Sequence, residues 1–580
     1  MGRVKALSIE GYRSINDRID IAFPERDPIV LFGENNAGKS NIVAALELVL
    51  GERWPGSHDP DDHEFFGRSR DGNLIEITVE LDDVRCSFQQ SERTVESLIW
   101  RFPWGQGTPF RMRLKWVDGN PYASSQARDQ CPCIVISADR RLSYQLSYAS
   151  PYTFLSKLTK RFHKLLEADE GAVERLRDRY VEVVDVFERV DEFAAFKNEL
   201  RNQVDGLSGN LAYGLSVDFS PYDPSNYFRS LRVHPKDDGE IRSFDELGTG
   251  QEQILSICFA YAYARTFHDA KDLLLVIEEP EAHLHPLAQR WLGQKVQELA
   301  RVGVQVVLTT HSPAFLDILN LEGFVRVCKP NGATEIVQVT TGEFANLCQE
   351  HGALKVDDTS VLPFYSAAAT EEILAGLFAR KVVLVEGPTE ALALPVYLAK
   401  CGLHTTKDGV AVIPVGGVGN LSKWWRFFSA FRIPCYIVFD NDAKHDDMRT
   451  KRSDILTTLN VDQIEHTPLL ETTDWVINDR FCIFGRNFEE IMRSFFGDDY
   501  VRLEQEASDQ FGLSPKQSKP LVARYVAERL PREVYEQGWA KFRELVESIK
   551  NLDTRVSSGT TAQLVADEFD DDDFDDVPFD

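Results

Sequence analysis

The sequence predicts an α/β protein in which two parallel-sheet units follow one another along the chain. Apolar runs of four or five residues, typical of strands buried on both faces, occur in both halves. In the first half they read "IVLF", "LLLVI" and "VQVVL", and in the second half "KVVLV", "VAVI" and "CYIVF". Loops and segments with helical spacing separate the runs, and this alternation is typical of parallel α/β folds.

Composition excludes several classes of protein. The 580 residues are 43% hydrophobic and carry a formal net charge of −28. No apolar run approaches the roughly 18 residues that span a bilayer, and the first residues lack the apolar core of a secretory signal. Nine cysteines without CxxC spacing argue against a zinc ribbon or a disulfide framework. We expect a cytoplasmic protein with no membrane partner, and the acidic body does not by itself indicate a nucleic-acid binder.

A phosphate-binding loop follows the first of these strands. The segment "GENNAGKS" fits the pattern GxxxxGKS and leads directly into a helical pattern. In this motif glycines let backbone N–H groups surround the phosphates, the lysine reaches the β- and γ-phosphates, and the serine holds Mg²⁺. We therefore predict a site for ATP with Mg²⁺ at Gly33, Asn36, Gly38, Lys39 and Ser40.

Two later strand ends carry side chains suited to the same site. The run "LLLVI" ends in Glu278, placed to hold Mg²⁺, and Glu279, placed to polarise the attacking water. The run "VQVVL" leads to His311, whose position at a strand end favours a contact with the γ-phosphate. All three join the predicted ATP site.

A glycine-rich turn at residues 247–251 opens a further helical pattern. Together with the phosphate loop, the acidic strand end and "LSIEGYRSI" near the start, it resembles the ABC-type ATPase heads of the SMC and RecF group. In such heads the signature turn of one subunit completes the ATP site of another. The resemblance thus implies a homodimer or higher homo-oligomer and a nucleotide-binding role for Gly250. Gly248 and Thr249 depart from the usual LSGGQ, so ATP binding is better supported than efficient hydrolysis.

Lys, Arg, Glu and Leu recur at helical spacing from residue 151 to about residue 207, which predicts a helical insertion. It is too short for the long coiled-coil arm of SMC proteins. A dimer contact, a DNA-facing arm and an amphipathic packing element all remain open for it.

Carboxylates mark the strand ends of the second half. Glu386 ends "KVVLV", Glu390 lies one helical turn further on, and Asp440 and Asp442 follow "CYIVF" at alternating positions. The carboxyl ends of neighbouring parallel strands are where such folds place their sites. Four carboxylates in one crevice cannot all stay ionised without cations, and oxygen ligands suit Mg²⁺ or Mn²⁺. Two such ions activate a water and stabilise the leaving oxygen of a phosphodiester.

This order of acids, with Gly416-Gly417 ending the strand between them, resembles the TOPRIM domain of topoisomerases, bacterial primases and related nucleases. An ABC-type head followed by TOPRIM resembles the OLD (overcoming lysogenization defect) family, to which the anti-phage Gabija nuclease subunit belongs. The resemblance implies Glu489 as a further catalytic metal ligand, although Asn487 stands where an Asp is expected. It also implies a catalytic lysine at Lys519, with Lys516 as the alternative.

The resemblance implies an ATP-regulated, divalent-metal-dependent DNA endonuclease in anti-phage defence or DNA processing. Its partners would be double-stranded DNA, further copies of the chain, and a helicase or another defence-system protein. The alternative is a non-cleaving, ATP-dependent scaffold for DNA repair or recombination with a degenerate TOPRIM domain. The intact acidic set argues against that alternative.

The segment "SKWWRFF" places Lys423 and Arg426 beside aromatic residues. Such a pattern suits DNA strand binding by stacking, and it equally suits the core of an amphipathic helix. Further basic residues follow at Lys444, Arg449, Lys451 and Arg452.

The predicted organisation comprises five segments. They are an ATPase N-terminal lobe (1–150), a helical insertion (151–240), an ATPase C-terminal lobe (241–375), a TOPRIM nuclease domain (376–550) and a disordered acidic tail (551–580). The tail ends in "DDDDFDDVPFD", which is too charged to fold alone. It is a candidate for a protein contact or for autoinhibition of a basic groove.

Overall fold

The computed structural model describes most of the chain. The described residues are 2–51, 53–104, 108–116, 119–136, 146, 148, 153, 155–156, 158–159, 162, 191–207, 213–219, 231–237, 239–242, 246–266, 273–282, 284–441, 448–512 and 518–552. Of the predicted acidic tail, residues 553–580 lie outside them, whereas Asn551 is the last residue of a described helix and the predicted boundary at 551 is therefore too early.

The described strands are β1 (Arg3–Glu10), β2 (Ile19–Ala22), β3 (Ile29–Phe32), β4 (Ile75–Phe88), β5 (Ser91–Phe102), β6 (Phe110–Leu114), β7 (Cys133–Ile136), β8 (Tyr213–Phe219), β9 (Leu231–Asp237), β10 (Glu240–Ile241), β11 (Leu274–Glu278), β12 (Gln305–Thr310), β13 (Phe324–Cys328), β14 (Glu335–Gln338), β15 (Lys381–Val385), β16 (Val410–Pro414), β17 (Cys435–Asp440), β18 (Trp475–Ile477) and β19 (Phe481–Phe484).

The described α-helices are α1 (Lys39–Leu50), α2 (Ser125–Asp129), α3 (Asp191–Leu207), α4 (Thr249–Thr266), α5 (Pro286–Arg301), α6 (Thr341–Glu350), α7 (Val361–Ser366), α8 (Glu371–Ala375), α9 (Pro388–Lys400), α10 (Thr405–Asp408), α11 (Leu421–Ala430), α12 (Arg449–Thr458), α13 (Gln463–Glu471), α14 (Phe488–Phe511), α15 (Lys519–Arg529) and α16 (Glu536–Asn551).

A six-stranded sheet in the order β14-β13-β3-β12-β11-β7 forms the centre of the first half. Strands β13, β3, β12, β11 and β7 are parallel, and β14 is an antiparallel edge strand. Every residue of β3, β7 and β12 is buried, as continuous apolar runs predict. The register pairs Glu278 with Thr309 and Phe32 with Thr310, so the carboxyl ends of β3, β11 and β12 meet at one edge.

An antiparallel sheet, β2-β1-β4-β5-β6, packs its inner face against α1. Strands β2, β4 and β6 largely alternate between buried and accessible residues, as expected where one face is solvated. In β6, Phe110, Met112 and Leu114 are buried, whereas Arg111 and Arg113 lie on the accessible face.

The predicted helical insertion at 151–240 is helical only in part. Helix α3 is present, but residues 213–219, 231–237 and 240–241 form a three-stranded antiparallel sheet in the order β10-β9-β8, so the helical prediction is wrong for these residues. Residues 163–190, which carried much of the helical pattern, lie outside the described residues. Strand β9 was missed because it contains Pro235, which usually argues against a strand.

The second half contains a sheet in the order β16-β15-β17-β19-β18. Strands β16, β15, β17 and β19 are parallel, and β18 is an antiparallel edge. Glu386 directly follows β15, and Asp440 is the last residue of β17, the neighbouring strand. The predicted α/β class, with parallel sheets in both halves, is confirmed.

One hydrophobic core continues from the six-stranded sheet into the second parallel sheet. The ring of Phe32 lies 5.8 Å from Phe378 and 5.9 Å from Phe431, centroid to centroid. Arg326 Nη1 donates hydrogen bonds to the carbonyls of Phe431 and Arg432 at 2.9 and 3.0 Å. Within the described part of the chain, no helix has the length and apolar character needed to cross a membrane.

Candidate functional site

The phosphate loop, residues 33–40, joins β3 to α1. Gly33 and Gly38 adopt φ angles of 142° and 115°. A Cβ on Gly38 would clash with the Thr334 hydroxyl, and one on Gly33 would clash with the Val327 carbonyl. Both positions therefore require glycine.

Of the other predicted loop ligands, Asn36 has a φ of 63°, and both Asn36 and Ser40 are exposed. Lys39 begins α1 with its side chain folded back over the loop. Its Nζ donates to the carbonyl oxygens of Gly33 at 3.1 Å and Glu34 at 3.0 Å.

Lys39 is 6% exposed. Burial lowers the pKa of Lys39 to about 8, although Glu279 and Glu281 act in the opposite direction. An ammonium group that is desolvated against neutral carbonyls gains interaction energy when an anion binds. The loop therefore fits a phosphate ligand in both shape and charge.

Glu278, Glu279 and His311 lie at the same sheet edge. His311 Nε2 is 4.0 Å from Glu279 Oε1. Burial and the positive charge of Lys39 lower the pKa of His311, and Glu279 opposes them. The structure thus brings the predicted acids and the predicted histidine together with Lys39.

Glu281 belongs to this cluster and was not singled out from the sequence. Its carboxylate accepts hydrogen bonds from the Thr310 hydroxyl at 2.9 Å and from the His311 backbone N–H at 2.5 Å. Burial raises the pKa of Glu281 despite these bonds. The signal in the sequence was a third acid in "EEPEA", but its contact with the end of β12 depends on tertiary structure.

The glycine-rich turn begins α4, as its pattern predicts. The Gly248 N–H donates to the Gln251 side chain at 3.0 Å, which closes the turn. The role of Gly250 concerns a second copy of the chain and stays a prediction.

Four acids meet at the carboxyl ends of β15 and β17: Glu386, Glu390, Asp440 and Glu489. The Asp440 backbone N–H donates to Glu386 Oε1 at 2.8 Å, and the Gly387 N–H donates to Glu390 Oε2 at 3.1 Å. Burial, reinforced by Glu386 and Glu489, raises the pKa of Glu390 to about 7. Burial, reinforced by the other three acids, raises the pKa of Asp440 well above its usual range.

The Oδ1 atom of Asp440 is shielded from solvent and has no hydrogen-bond partner among the described residues. The next side chain, Asn441, is fully buried and donates to the carbonyls of Leu469 at 3.1 Å and Thr472 at 3.0 Å. Asp442 lies outside the described residues. A buried carboxylate oxygen without a donor, beside three other acids, is unfavourable unless a cation or a proton satisfies it.

The donor set fits a hard divalent cation in its chemistry. Carboxylate oxygens are the ligands that Mg²⁺ and Mn²⁺ take in proteins. Over the part of the chain that the structure describes, no three His, Cys, Asp or Glu side chains converge as a complete metal-binding group. Glu386, Glu390, Asp440 and Glu489 could therefore hold such an ion only with some movement or with a further ligand.

Models of known domains match three segments of the chain. Residues 377–442 match the overcoming lysogenization defect protein-like TOPRIM domain. Residues 6–128 match an AAA domain and residues 130–316 match an AAA ATPase domain. The chain joins an AAA ATPase domain to an OLD-like TOPRIM domain. The resemblance to the OLD family is confirmed.

Relatives are similar over most of the chain. The OLD nuclease of Thermus scotoductus (strain ATCC 700910 / SA-01) is 26% identical over 465 residues, which cover 77% of this chain and 83% of that protein. Endonuclease GajA of Bacillus cereus (strain VD045) is 22% identical over 459 residues, or 76% of this chain and 75% of that protein. An SMC head domain derived from Pyrococcus yayanosii aligns with a TM-score of 0.41 at 12% identity, covering 63% of this chain and 99% of that chain.

Helices α14 and α15, which follow the segment matched by the TOPRIM model, supply Glu489 and Lys519. Glu489 lies in the first turn of α14, whose N-cap Asn487 accepts a hydrogen bond from the Glu490 N–H at 2.9 Å. Asn caps a helix as well as Asp does, so its presence here is structurally sound. Lys519 Nζ is 3.2 Å from Glu489 Oε1, and the alternative Lys516 lies outside the described residues.

Arg493 lies one helical turn after Glu489 and was not singled out from the sequence. Its Nε and Nη2 donate to Glu504 at 2.8 and 2.9 Å. Arg493, Glu489, Glu504 and Lys519 line a cavity of about 200 Å³. Only the spacing of four from Glu489 could have suggested this neighbour.

The aromatic residues of "SKWWRFF" belong to the core, and the stacking hypothesis for them is wrong. Four side chains are at most 2% exposed: Trp424, Trp425, Phe427 and Phe428. Lys423 Nζ donates to the Phe364 carbonyl at 2.6 Å, and burial lowers the pKa of Lys423 to about 8. Arg426 donates to the His351 carbonyl and the Thr458 hydroxyl, each at 2.8 Å. Helix α11 is enclosed because α6, α12, β15 and β17 pack around it.

The basic residues that follow this helix differ in exposure. Arg452 is 6% exposed, and Arg449 is paired with Glu471 at 2.9 Å. Lys451 is exposed, and Lys444 lies outside the described residues. Among these four, Lys451 remains a candidate for DNA contact, and so does Arg449, whose ion pair lies at the surface with the arginine side chain 47% exposed.

Proposed function

We propose that this protein is an ATP-regulated DNA endonuclease that hydrolyses phosphodiester bonds with divalent cations. The observation that carries the proposal is the shielded Asp440 Oδ1 atom, which lacks a described hydrogen-bond partner and lies among Glu386, Glu390 and Glu489. Such an arrangement is unfavourable for the protein alone and fits Mg²⁺ or Mn²⁺. Asp442, two residues after Asp440, completes the proposed ligand set.

In the proposed reaction a water attacks phosphorus, and the bond from phosphorus to the leaving oxygen breaks. When bound, Mg²⁺ or Mn²⁺ would supply an activated water and stabilise the charge on the leaving oxygen. The acids of this chain would hold the ions, and Glu390 would have to lose its proton to do so, which its pKa of about 7 permits at neutral pH. Lys519, 3.2 Å from Glu489, would offset negative charge on the phosphoryl oxygens.

The names of the relatives support a nucleic-acid substrate, since one is an OLD nuclease and another is Endonuclease GajA. Double-stranded DNA is the proposed substrate, and anti-phage defence is the proposed role. A second copy of the chain, which would bring Gly250 to the ATP site, is the proposed partner, together with a helicase or another defence-system protein.

A plasmid-nicking assay with Mg²⁺ or Mn²⁺ tests the proposal. Wild-type protein is expected to nick or linearise the plasmid, and EDTA is expected to stop it. Lys519→Gln is expected to slow cleavage by about 100-fold, because one charge-stabilising donor is lost from the transition state. Lys541→Gln is the matched control, since Lys541 is paired with Glu544 at 3.0 Å on the same domain's surface.

Equal rates for Lys519→Gln and Lys541→Gln would remove Lys519 from the site. Absence of cleavage by the wild type with any divalent ion, combined with ATP-dependent DNA binding, would favour the non-cleaving repair scaffold instead.

For ATP regulation, the proposed link between the domains is the ion pair of Glu34 and Arg380. Glu34 lies in the phosphate loop, and its carbonyl accepts a hydrogen bond from Lys39. Arg380 Nε and Nη2 donate to the two carboxylate oxygens of Glu34 at 2.6 and 3.0 Å. Arg380 directly precedes β15, and Glu386 directly follows that strand. Phosphates that draw Lys39 away from Glu34 would alter an ion pair anchored at the start of β15.

Arg380→Gln is therefore expected to keep ATP binding and cleavage without nucleotide, but to reduce the effect of ATP on the cleavage rate to less than about twofold. The rates with and without ATP measure this. Arg290→Gln is the matched control, because Arg290 forms a comparable two-bond pair with Glu371. An unchanged ATP effect in Arg380→Gln would refute this route of coupling.

A further inference from the structure

An exposed basic and aromatic surface lies at the edge of the antiparallel sheet of the ATPase domain. We call it the edge patch, and it consists of Trp104, Arg111, Arg113, Lys115, Trp116 and Tyr122. Its strand, β6, is the last in the sheet order. The alternate residues of β6 pack into the hydrophobic core, which directs the basic residues to the opposite face.

Arginine and aromatic side chains contact one another in the central part of the edge patch. The Arg111 guanidinium lies 3.9 Å from the ring centroid of Tyr122 and 5.4 Å from that of Trp104. Arg111 and Tyr122 are also paired across an isolated antiparallel bridge, so they share a face. Arg101 lies 5.8 Å from the other end of the row, at Trp104. Rings and guanidinium groups therefore alternate in a fixed arrangement.

The outer part of the patch offers free aromatic surface. Trp116 is 85% exposed and Tyr122 is 54% exposed. Lys115 Nζ lies 5.4 Å from the Trp116 ring, so a positive charge accompanies the exposed indole. A tryptophan that is left so open forgoes much of the stabilisation that burying it would give.

The local charge opposes that of the whole protein. Residues 101–122 contain four basic side chains and one acid, Asp118, in a chain whose net charge is −28. Two exposed acids, Glu92 and Glu96, lie on the neighbouring strand β5, and Glu76 and Glu80 lie on β4, one strand further in from the edge. The basic residues therefore outnumber the acids on β6 itself, but not on the strands behind it. An anionic partner is therefore attracted to this edge although the protein as a whole repels it.

We infer that the edge patch binds single-stranded DNA. Phosphates would lie against Arg113 and Lys115, and unpaired bases would stack on Trp116 and Tyr122. A duplex hides the faces of its bases, so the aromatic side chains select unpaired strands, such as a frayed end beside a cleavage site. The inference rests on the proposed function only in taking DNA as the polymer, since the patch is separate from the carboxylates of the TOPRIM domain.

Fluorescence anisotropy with a labelled oligonucleotide of about 20 nucleotides, single-stranded or in duplex, tests this in EDTA without ATP. Trp116→Ala is expected to weaken single-strand binding by about tenfold and duplex binding much less, because one stacking platform is lost. Arg113→Gln with Lys115→Gln is expected to reduce the slope of log K against log salt by about 1.4, or about 0.7 for each phosphate contact.

Two surface substitutions serve as controls. Leu354 is 81% exposed and Lys407 is exposed, so Leu354→Ala and Lys407→Gln remove comparable groups elsewhere. Wild-type affinity in Trp116→Ala would overturn the inference. A change in oligomeric state by light scattering, with DNA affinity unchanged, would also overturn it and identify the patch as a contact between copies.

The same preparations tested for cleavage of saturating plasmid separate this inference from the proposed function. If the protein cleaves DNA but the edge-patch variants keep wild-type DNA affinity, the inference about the edge patch is refuted and the proposed function is not. If DNA binding depends on the edge patch but no divalent ion supports cleavage, the proposed endonuclease activity is refuted and the inference about the edge patch stands.

Discussion

Asp440→Asn is expected to abolish metal-dependent DNA cleavage and, in the absence of metal, to raise the melting temperature at neutral pH. The cleavage rate should fall by at least about 100-fold, because the proposed metal site loses one of its ligands, and the ions that it holds stabilise the charge of the transition state. Stability should rise by about 1–3 kcal/mol, because a desolvated carboxylate with one oxygen atom, Oδ1, that lacks a described donor becomes a neutral amide. That amide can donate to the neighbouring acids Glu386 and Glu390.

The pH dependence of this stabilisation follows from the direction of the pKa shifts. Burial raises the pKa of Asp440, and it raises the pKa of Glu390 to about 7. Below pH about 3, both groups are protonated in the folded and unfolded chains, and they do not affect stability. As pH rises, the unfolded chain releases these protons first, so the metal-free protein loses stability until the folded groups also ionise.

The advantage of Asp440→Asn should therefore be small near pH 4 and should grow through pH 7. Melting curves across this range, with EDTA or with Mn²⁺, measure it. Mn²⁺ should stabilise the wild type more at pH 8 than at pH 6 and should have a much smaller effect on the variant. Asp462→Asn is the control, because Asp462 is exposed and makes no side-chain cap bond. Equal melting temperatures for the wild type and Asp440→Asn in EDTA at pH 8 would contradict the argument.

The acids of this centre could be predicted because their signal is local. Glu386 and Asp440 each follow a buried apolar run, and parallel strands deliver such ends to one edge whatever the rest of the fold does. The phosphate loop is equally local, since its glycines serve backbone angles that the loop itself demands. Glu489 and Lys519 came from the family resemblance, because helices α14 and α15 reach the site only through tertiary packing.

Other features could not be predicted because they depend on what packs against an element. Helix α11 has basic and aromatic residues that suit either DNA or a core, and the enclosing elements decide for the core. The edge patch has the same composition, but β6 ends its sheet and leaves that face open. Glu281 contacts the end of β12, and Arg493 bonds Glu504, eleven residues further along the chain. Sequence spacing alone does not predict either contact.

Lys39→Met is expected to weaken ATP binding by about 10- to 100-fold, since a charge-assisted contact to phosphate is worth about 1.5–3 kcal/mol. The methionine keeps the apolar stem that is buried between the loop and α1, so the variant should fold. Calorimetric titration with MgATP measures the affinity. Lys355→Met, at an exposed lysine of the same half, is the control.

A second consequence concerns the protein without nucleotide. Burial lowers the pKa of Lys39 to about 8, below the value of about 10.4 for a free lysine. Between these values the unfolded chain binds more protons than the folded chain. The free energy of unfolding therefore decreases as pH falls from about 10 to 8. At pH 7 the full destabilisation by this lysine is present.

Lys39→Met should therefore raise the melting temperature of the nucleotide-free protein at pH 7 while removing the increase that MgATP gives the wild type. Higher stability combined with weaker ATP binding would show that the fold keeps Lys39 in a destabilising position because the lysine binds the phosphates. A variant that lost stability as well as ATP affinity would instead mean that the two hydrogen bonds from Lys39 Nζ to the carbonyls of Gly33 and Glu34 hold the loop together.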